Sequence, residues 1–188
     1  KDVFVIRTGK FAEKRSKISS KNFLDYPFCE EKKDIIDVWL FANSDLVIST
    51  AAGVDEISAA YKVPRIYLNL LPLIHSPSWT KTLTISKHLY WEKTKKHLSF
   101  EEYIELDNIL TTEEFKEKGI IIKSLSSAEI KKVIVDGWGY FIENKKIKNQ
   151  DLIQTNKFKK LINKNKKNLK NFHSFLNKNW IISGNLFL

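Results

Sequence analysis

Cysteine is almost missing. Cys29 is the only one in 188 residues, so no internal disulfide is available and the lone thiol fits a reducing compartment. Long apolar runs are missing too: none approaches the roughly 18 residues that a membrane-spanning helix needs. No G-x-G-x-x-G and no Walker pattern occurs, so the sequence encodes neither a dinucleotide fingerprint nor a P-loop. There is no D-x-D pair, and His75, His88, His97 and His173 show no ligand spacing with the cysteine or an acid. No metal site and no bound cofactor are therefore expected. A chain of this length makes one ordinary domain that buries its core without staples.

Arginine is absent from the one strongly charged stretch. Residues 145–178 carry eleven lysines and a single acid, Asp151, and so account for the whole formal charge of +10. The remaining residues balance 21 basic against 21 acidic side chains. Three readings of the lysine block stay open: a solvated face, contact with an anionic membrane surface, or nucleic acid. The last is disfavoured, because arginine is the residue that pairs phosphates bidentately. The expectation is a neutral body over 1–144 and a basic, helical segment over 145–188 that packs back on it. The location expected is cytoplasmic, with peripheral membrane contact through the lysines.

What is present is organised around Asp45–Asn69. Leu46–Ser49 reads as a strand, Thr50–Gly53 as a small-residue turn, Val54–Tyr61 as a helix and Arg65–Leu68 as a second strand after Pro64. Two apolar runs joined by a short helix make a βαβ unit with parallel strands. The turn holds Ser49, Thr50, Ala51, Ala52 and Gly53, with no side chain larger than threonine. In open α/β sheets ligands bind beyond the carboxyl ends of the strands. A phosphate at this turn is one reading, and an empty turn is the other.

Before that unit, DVFVIR reads as a strand ending in Arg7-Thr8-Gly9, which sets a guanidinium and a flexible glycine at the same edge. Arg7 suits a diphosphate through its planar fork; pairing with a neighbouring acid is the alternative. The chain enters this strand straight after Lys1, so a preceding segment, up to a whole domain, is expected. Asn22–Tyr26 reads as a second strand stopped by Pro27. Asp34–Asn43 reads as a helix with Asp34 as N-cap and Asp37 in a capping box, apolar enough to be buried on most sides.

After Asn69 the run to Lys87 reads as an irregular connection containing two strand-like fragments and His75, taken as a surface residue. Ser99-Phe100-Glu101-Glu102 signals a short helix over Phe100–Leu106. Thr112 with Glu113 and Glu114 starts another, closed by Gly119. Residues 120–123 are expected as a last parallel strand, and Ala128–Asn144 as a helix. Helix is expected again through Phe158 and Leu161–Ile162. The order implies an α/β class: a Rossmann-like, mostly parallel sheet flanked by helices.

With these pieces placed, the chain resembles the carboxy-terminal, nucleotide-sugar-binding half of GT-B glycosyltransferases. It is most similar to a bacterial glycosyltransferase family linked to surface polysaccharides. The residues that carry the likeness are V-I-R-T-G (Val5–Gly9), D-Y (Asp25-Tyr26), D-x-x-L-F-A-x-S-D-L-V-I-S-T (Asp37–Thr50), A-G (Ala52-Gly53) and P-x-x-x-x-N (Pro64–Asn69). The likeness covers residues 3–70.

The resemblance implies a metal-independent transfer of sugar from a nucleotide-sugar donor to a glycan or lipid-linked acceptor. It implies a donor site made of Arg7, Thr8, Gly9, Asp25, Ser49, Thr50, Ala51, Ala52 and Gly53, with Arg7 stabilising the leaving diphosphate. Glu56 is the implied ribose ligand, a first-turn acid in solvent being its alternative. The general base is expected from the other domain of such an enzyme. Two other functions stay open: a sugar-nucleotide epimerase, and a non-catalytic nucleotide-binding or membrane-tethering module.

Overall fold

The computed structural model describes residues 3–106, 109, 111–165 and 179–184. The lysines from 166 onward, His173 and the residues at 185–188 lie outside the described residues. In chain order the strands are β1 (Val5–Arg7), β2 (Phe23–Asp25), β3 (Val47–Ser49), β4 (Arg65–Leu70), β5 (Thr82–Ser86), β6 (His88–Trp91), β7 (Ile120–Lys123) and β8 (Trp180–Ile182). The helices are α1 (Asp34–Asn43), α2 (Glu56–Ala60), α3 (Phe100–Glu105), α4 (Thr112–Glu117), α5 (Ser127–Phe141) and α6 (Asn149–Asn165).

The central sheet has four strands in the order β3-β4-β5-β8, each neighbouring pair parallel. With helices flanking it, this is the α/β, Rossmann-like architecture expected from the element order. β1 and β2 pair in parallel with each other, and β6 and β7 form an antiparallel pair. Side chains alternate across a strand, and the two faces of the central sheet differ. Ile66, Leu68, Leu83 and Ile85 enter the main core with Val133 of α5. A Cβ on Gly137 of α5 would collide with Ile66 Cδ1 and lie 2.8 Å from its Cγ1, so glycine lets this helix sit directly on β4. The other face is polar yet buried: Arg65, Tyr67, Thr82 and Thr84 are all at or near zero exposure. There the Ser76 and Thr84 hydroxyls lie 2.8 Å apart, and Trp180 Nε1 donates to Ser76 Oγ at 2.8 Å. Those bonds satisfy groups whose burial would otherwise be costly.

Local signals worked to within a residue or two. Ser99–Glu102 forms the reciprocal capping box expected for α3. The cap of α4 is Thr111 rather than Thr112, and that of α5 is Ser126, ahead of the helix expected from Ala128, each in a capping box of its own. Gly119 follows α4 with φ +69, the left-handed geometry that ends helices.

Four expectations are corrected. The cap of α1 is Lys33, without a side-chain bond, and Asp34 and Asp37 stand within the first turn, where their charge favours the helix dipole instead. The same helix is not buried on most sides: Phe41 is, but Ile35 and Trp39 are 71% and 61% exposed. Its packing partner α2 has five residues, too few to cover it. Residues 120–123 pair antiparallel with β6 rather than joining the parallel sheet. Finally, the run read as an irregular connection contains β5, an interior strand of the central sheet. Its alternation of threonine with leucine and isoleucine was masked by Pro72 and Pro77 just ahead of it.

Candidate functional site

A cleft of about 500 Å³ opens where β3, β4 and β5 end. Its rim includes Thr50 and Ala51 after β3, Asn69 at the end of β4 and Lys87 after β5, with Thr111 and Ser124 opposite. This is the carboxyl edge of a parallel sheet, the position at which α/β folds bind ligands. Two rim residues have left-handed backbone, Ala51 at φ 65 and Asn69 at φ 57. For alanine that conformation costs on the order of 1 kcal/mol. Such local strain is held in place by its surroundings and concentrates at ligand sites.

The turn itself is internally bonded. Ser49 Oγ accepts from the Ala51 and Ala52 amides at 3.1 and 3.5 Å, which closes the chain over the end of β3. A helical turn begins at Gly53 and runs into α2. The first amides of a helix have no acceptor within it, so the donors that this turn offers are those of Gly53 and Val54. A Cβ on Gly53 would meet nothing within 4 Å, so the space above the turn is open.

Arg7 and Asp25 face each other in register on β1 and β2 and form an ion pair at 3.1 Å. Arg7 Nη1 also donates to the Lys14 carbonyl at 3.0 Å, and Asp25 Oδ2 accepts from the Ser16 amide at 2.6 Å. These bonds fasten the loop that follows Thr8 and Gly9. Lys32 Nζ donates to the Gly9 carbonyl at 3.1 Å. Of the expected site residues, Thr50 and Ala51 line the cleft, whereas Arg7, Thr8, Gly9, Asp25, Ser49, Ala52, Gly53 and Glu56 do not. Glu56 is half exposed, with Oε1 3.2 Å from Arg65 Nη1.

Arg65 was not singled out from sequence, yet it is fully buried. Its guanidinium donates to Glu56, to the Asp55 carbonyl, to the Tyr67 hydroxyl and to Thr80 Oγ1, tying the start of α2 to the sheet directly below the turn. Burial, against the pull of the Arg65 charge, pushes the Tyr67 phenol well above its usual range. Asn69 and Lys87 were also passed over as site residues. The rule that pointed to Thr50 points equally to the residues ending β4 and β5, but it needs β5 to be recognised as a strand.

A second polar cluster lies beside β6. His97 Nδ1 is 2.8 Å from the Leu98 carbonyl, which only accepts, so Nδ1 carries the hydrogen and Nε2 is an acceptor. His88 Nδ1, 3.3 Å from that Nε2, is then a donor, and His88 Nε2 lies 2.6 Å from Glu129 Oε1. His88 thus bridges the His97 ring and the Glu129 carboxylate. Burial, opposed by the Leu98 carbonyl and reinforced by the His88 charge, holds His97 below its ordinary value of 6.5. Burial raises the Glu129 carboxyl, but hydrogen bonds from Ser126 and His88 prevail and hold it below 4.5.

An unfolded chain takes up the His97 proton on crossing 6.5, whereas the folded protein takes it up only further down. The stability contributed by the neutral ring is complete above 6.5 and is lost as pH falls below it. The urea midpoint is accordingly expected to fall between pH 7 and 5.5, and to fall less in His97→Gln. Parallel profiles for the two proteins would refute this.

Among the described residues, no group of three or more His, Cys, Asp or Glu side chains is placed to hold a metal ion, and no helix is long and apolar enough to cross a membrane. A scan against protein-family models found no match, and searches of the curated proteins and of the solved structures found none either.

Proposed function

We propose that this chain is the donor-binding portion of a glycosyltransferase. On this reading it moves a sugar, without a metal, from a nucleotide-sugar to a cell-surface polysaccharide or another glycan acceptor. The observation that carries the reading is the cleft of about 500 Å³ at the carboxyl ends of β3, β4 and β5, with Thr50 and Ala51 of the small-residue turn on its rim. In the reaction the anomeric carbon leaves a phosphate oxygen for an acceptor hydroxyl, and the departing diphosphate gains negative charge. Donors fixed at this edge stabilise that charge, an effect worth roughly 3–4 kcal/mol per donor. The order of the sequence motifs between residues 3 and 70 supports the same reading.

Thermal unfolding in the presence of UDP, GDP, ADP and CMP tests it. A ligand that binds only the native state at 100 times Kd adds about 2.7 kcal/mol. For a domain of this size the Tm should rise by roughly 5–11 °C. One nucleotide is expected to give that rise while the others give less. No rise with any of them at millimolar concentration would overturn the reading.

A further inference from the structure

We propose that the cleft is an anion site in which Lys87 is the cation that meets the ligand, with Asn69 as a second fixed donor. The inference rests on the nucleotide reading above and names the residues that would hold the diphosphate. Among the described residues, the rim contains one charged side chain, Lys87, and no acid. The nearest carboxylate to one rim residue, that of Glu114, is engaged by the Thr111 amide and hydroxyl at 2.9 Å in the cap of α4.

The backbone that carries Lys87 and the Asn69 side chain are both held from behind. The Tyr103 hydroxyl donates to the Lys87 carbonyl at 2.9 Å and accepts from the Leu89 amide at 2.8 Å, which fixes the backbone on each side of His88 and so the point from which the Lys87 side chain starts. Tyr103 itself is buried. Asn69 Oδ1 accepts from the Leu125 amide at 2.8 Å, so the group that this side chain has left for a ligand is Nδ2, a donor. The left-handed backbone at Asn69 falls where the pairing of β4 with β5 shifts register, between Tyr67 and Leu70, and sets that amide near the strand end. The remaining polar side chains of the rim are the hydroxyls of Thr50, Thr111, Thr112 and Ser124, that of Thr111 being engaged in the cap of α4, and Leu70, Leu71, Phe115 and Ile122 are apolar. Among the described residues, a cavity that presents a cation, a committed amide donor and hydroxyls, with no carboxylate, selects an anion with several acceptor oxygens. Phosphate groups have that chemistry.

Arg7, the arginine that the strand-end argument favoured, is occupied by Asp25 and the Lys14 carbonyl and stands outside the rim. The cation for this site therefore comes from the end of β5.

The test is isothermal titration of the full chain with inorganic pyrophosphate and with the four nucleotides at two salt concentrations. It is run on wild type, Lys87→Ala, Asn69→Ala and, as a charge control, Lys93→Ala. Removing one charge-assisted contact weakens binding about ten- to hundredfold. Lys87→Ala is expected to lose that factor for pyrophosphate and for the best nucleotide, to lose most of the salt dependence, and to keep the wild-type far-UV spectrum. Lys93→Ala is expected to bind as wild type. Nucleotide binding that Lys87→Ala leaves unchanged overturns this inference while the donor-site reading stands. Pyrophosphate binding that depends on Lys87, with no nucleotide bound, upholds the anion site and overturns the nucleotide reading. A wild-type chain that binds neither overturns both.

Discussion

Arg65→Ala should lower the stability of this protein by about 3–5 kcal/mol, since it removes a fully buried guanidinium whose hydrogen bonds, made by a charged group, contribute about 1.5–3 kcal/mol each. Arg65 has no exposed surface, and its guanidinium holds four groups at once: the Glu56 carboxylate, the Asp55 carbonyl, Tyr67 and Thr80. It also lies 5.2 Å over the Tyr67 ring, within cation–π range. Alanine would leave those acceptors facing a cavity. Asp55, 2% exposed and already without a partner for Oδ2, would lose the positive charge beside it. At 2–4 °C per kcal/mol the Tm should fall by about 6–20 °C. Arg65→Met keeps much of the volume and should cost less than alanine. A loss under about 1 kcal/mol for alanine, read from urea unfolding, would mean that solvent takes over the role of the guanidinium. Because Arg65 ties the start of α2 to the sheet, the alanine variant should also bind its nucleotide less tightly.

Asp151→Ala should cost about 3 kcal/mol. In the lysine-rich stretch this is the single acid, and the sequence gives it the look of a solvated residue. It is fully buried. Oδ1 accepts from the Gly184 amide and Oδ2 from the Tyr140 hydroxyl, each at 2.6 Å. The carboxylate thus joins α5, α6 and the residue just past β8. Bonds to a charged group contribute about 1.5–3 kcal/mol each, and alanine removes two, stranding the buried Gly184 amide and the partly buried Tyr140 hydroxyl. Burial, with the Asp151 hydrogen bond adding to it, already pushes the Tyr140 phenol upward. Asp151→Asn keeps the shape and one acceptor and should lose about half as much. Equal losses for the two variants would assign the effect to packing and not to hydrogen bonding.

The sequence makes some of this architecture readable because some of its rules act over four residues. A capping box needs only a serine or threonine and a glutamate three positions on, so the start of α3 is visible in isolation and those of α4 and α5 to within a residue or two. The turn at Thr50–Gly53 and the parallel pairing of β3 with β4 are nearly as local. What escapes is decided by distant partners. Ile35 and Trp39 look like core residues until the brevity of α2 leaves them outside. β7 looks like another parallel strand until His88–Trp91 pairs with it the other way round. Lys87 looks like one lysine among many until β5 places it at the rim of the cleft. Arg65 looks like an ordinary charge at a strand start, and only the fold shows that nothing around it is water.

Such long-range dependence has a consequence for how the protein is made. Trp180 pairs with Thr82 and Ile182 with Thr84, so one edge of β5 waits for residues synthesised much later. With roughly a hundred residues between the two strands and about 5–20 residues added per second, the nascent chain carries that open edge for about 5–20 s. An unpaired strand edge is a template for aggregation. During this interval the free edge of β5 can pair with another chain, and a product ending before residue 180 would keep that edge open permanently.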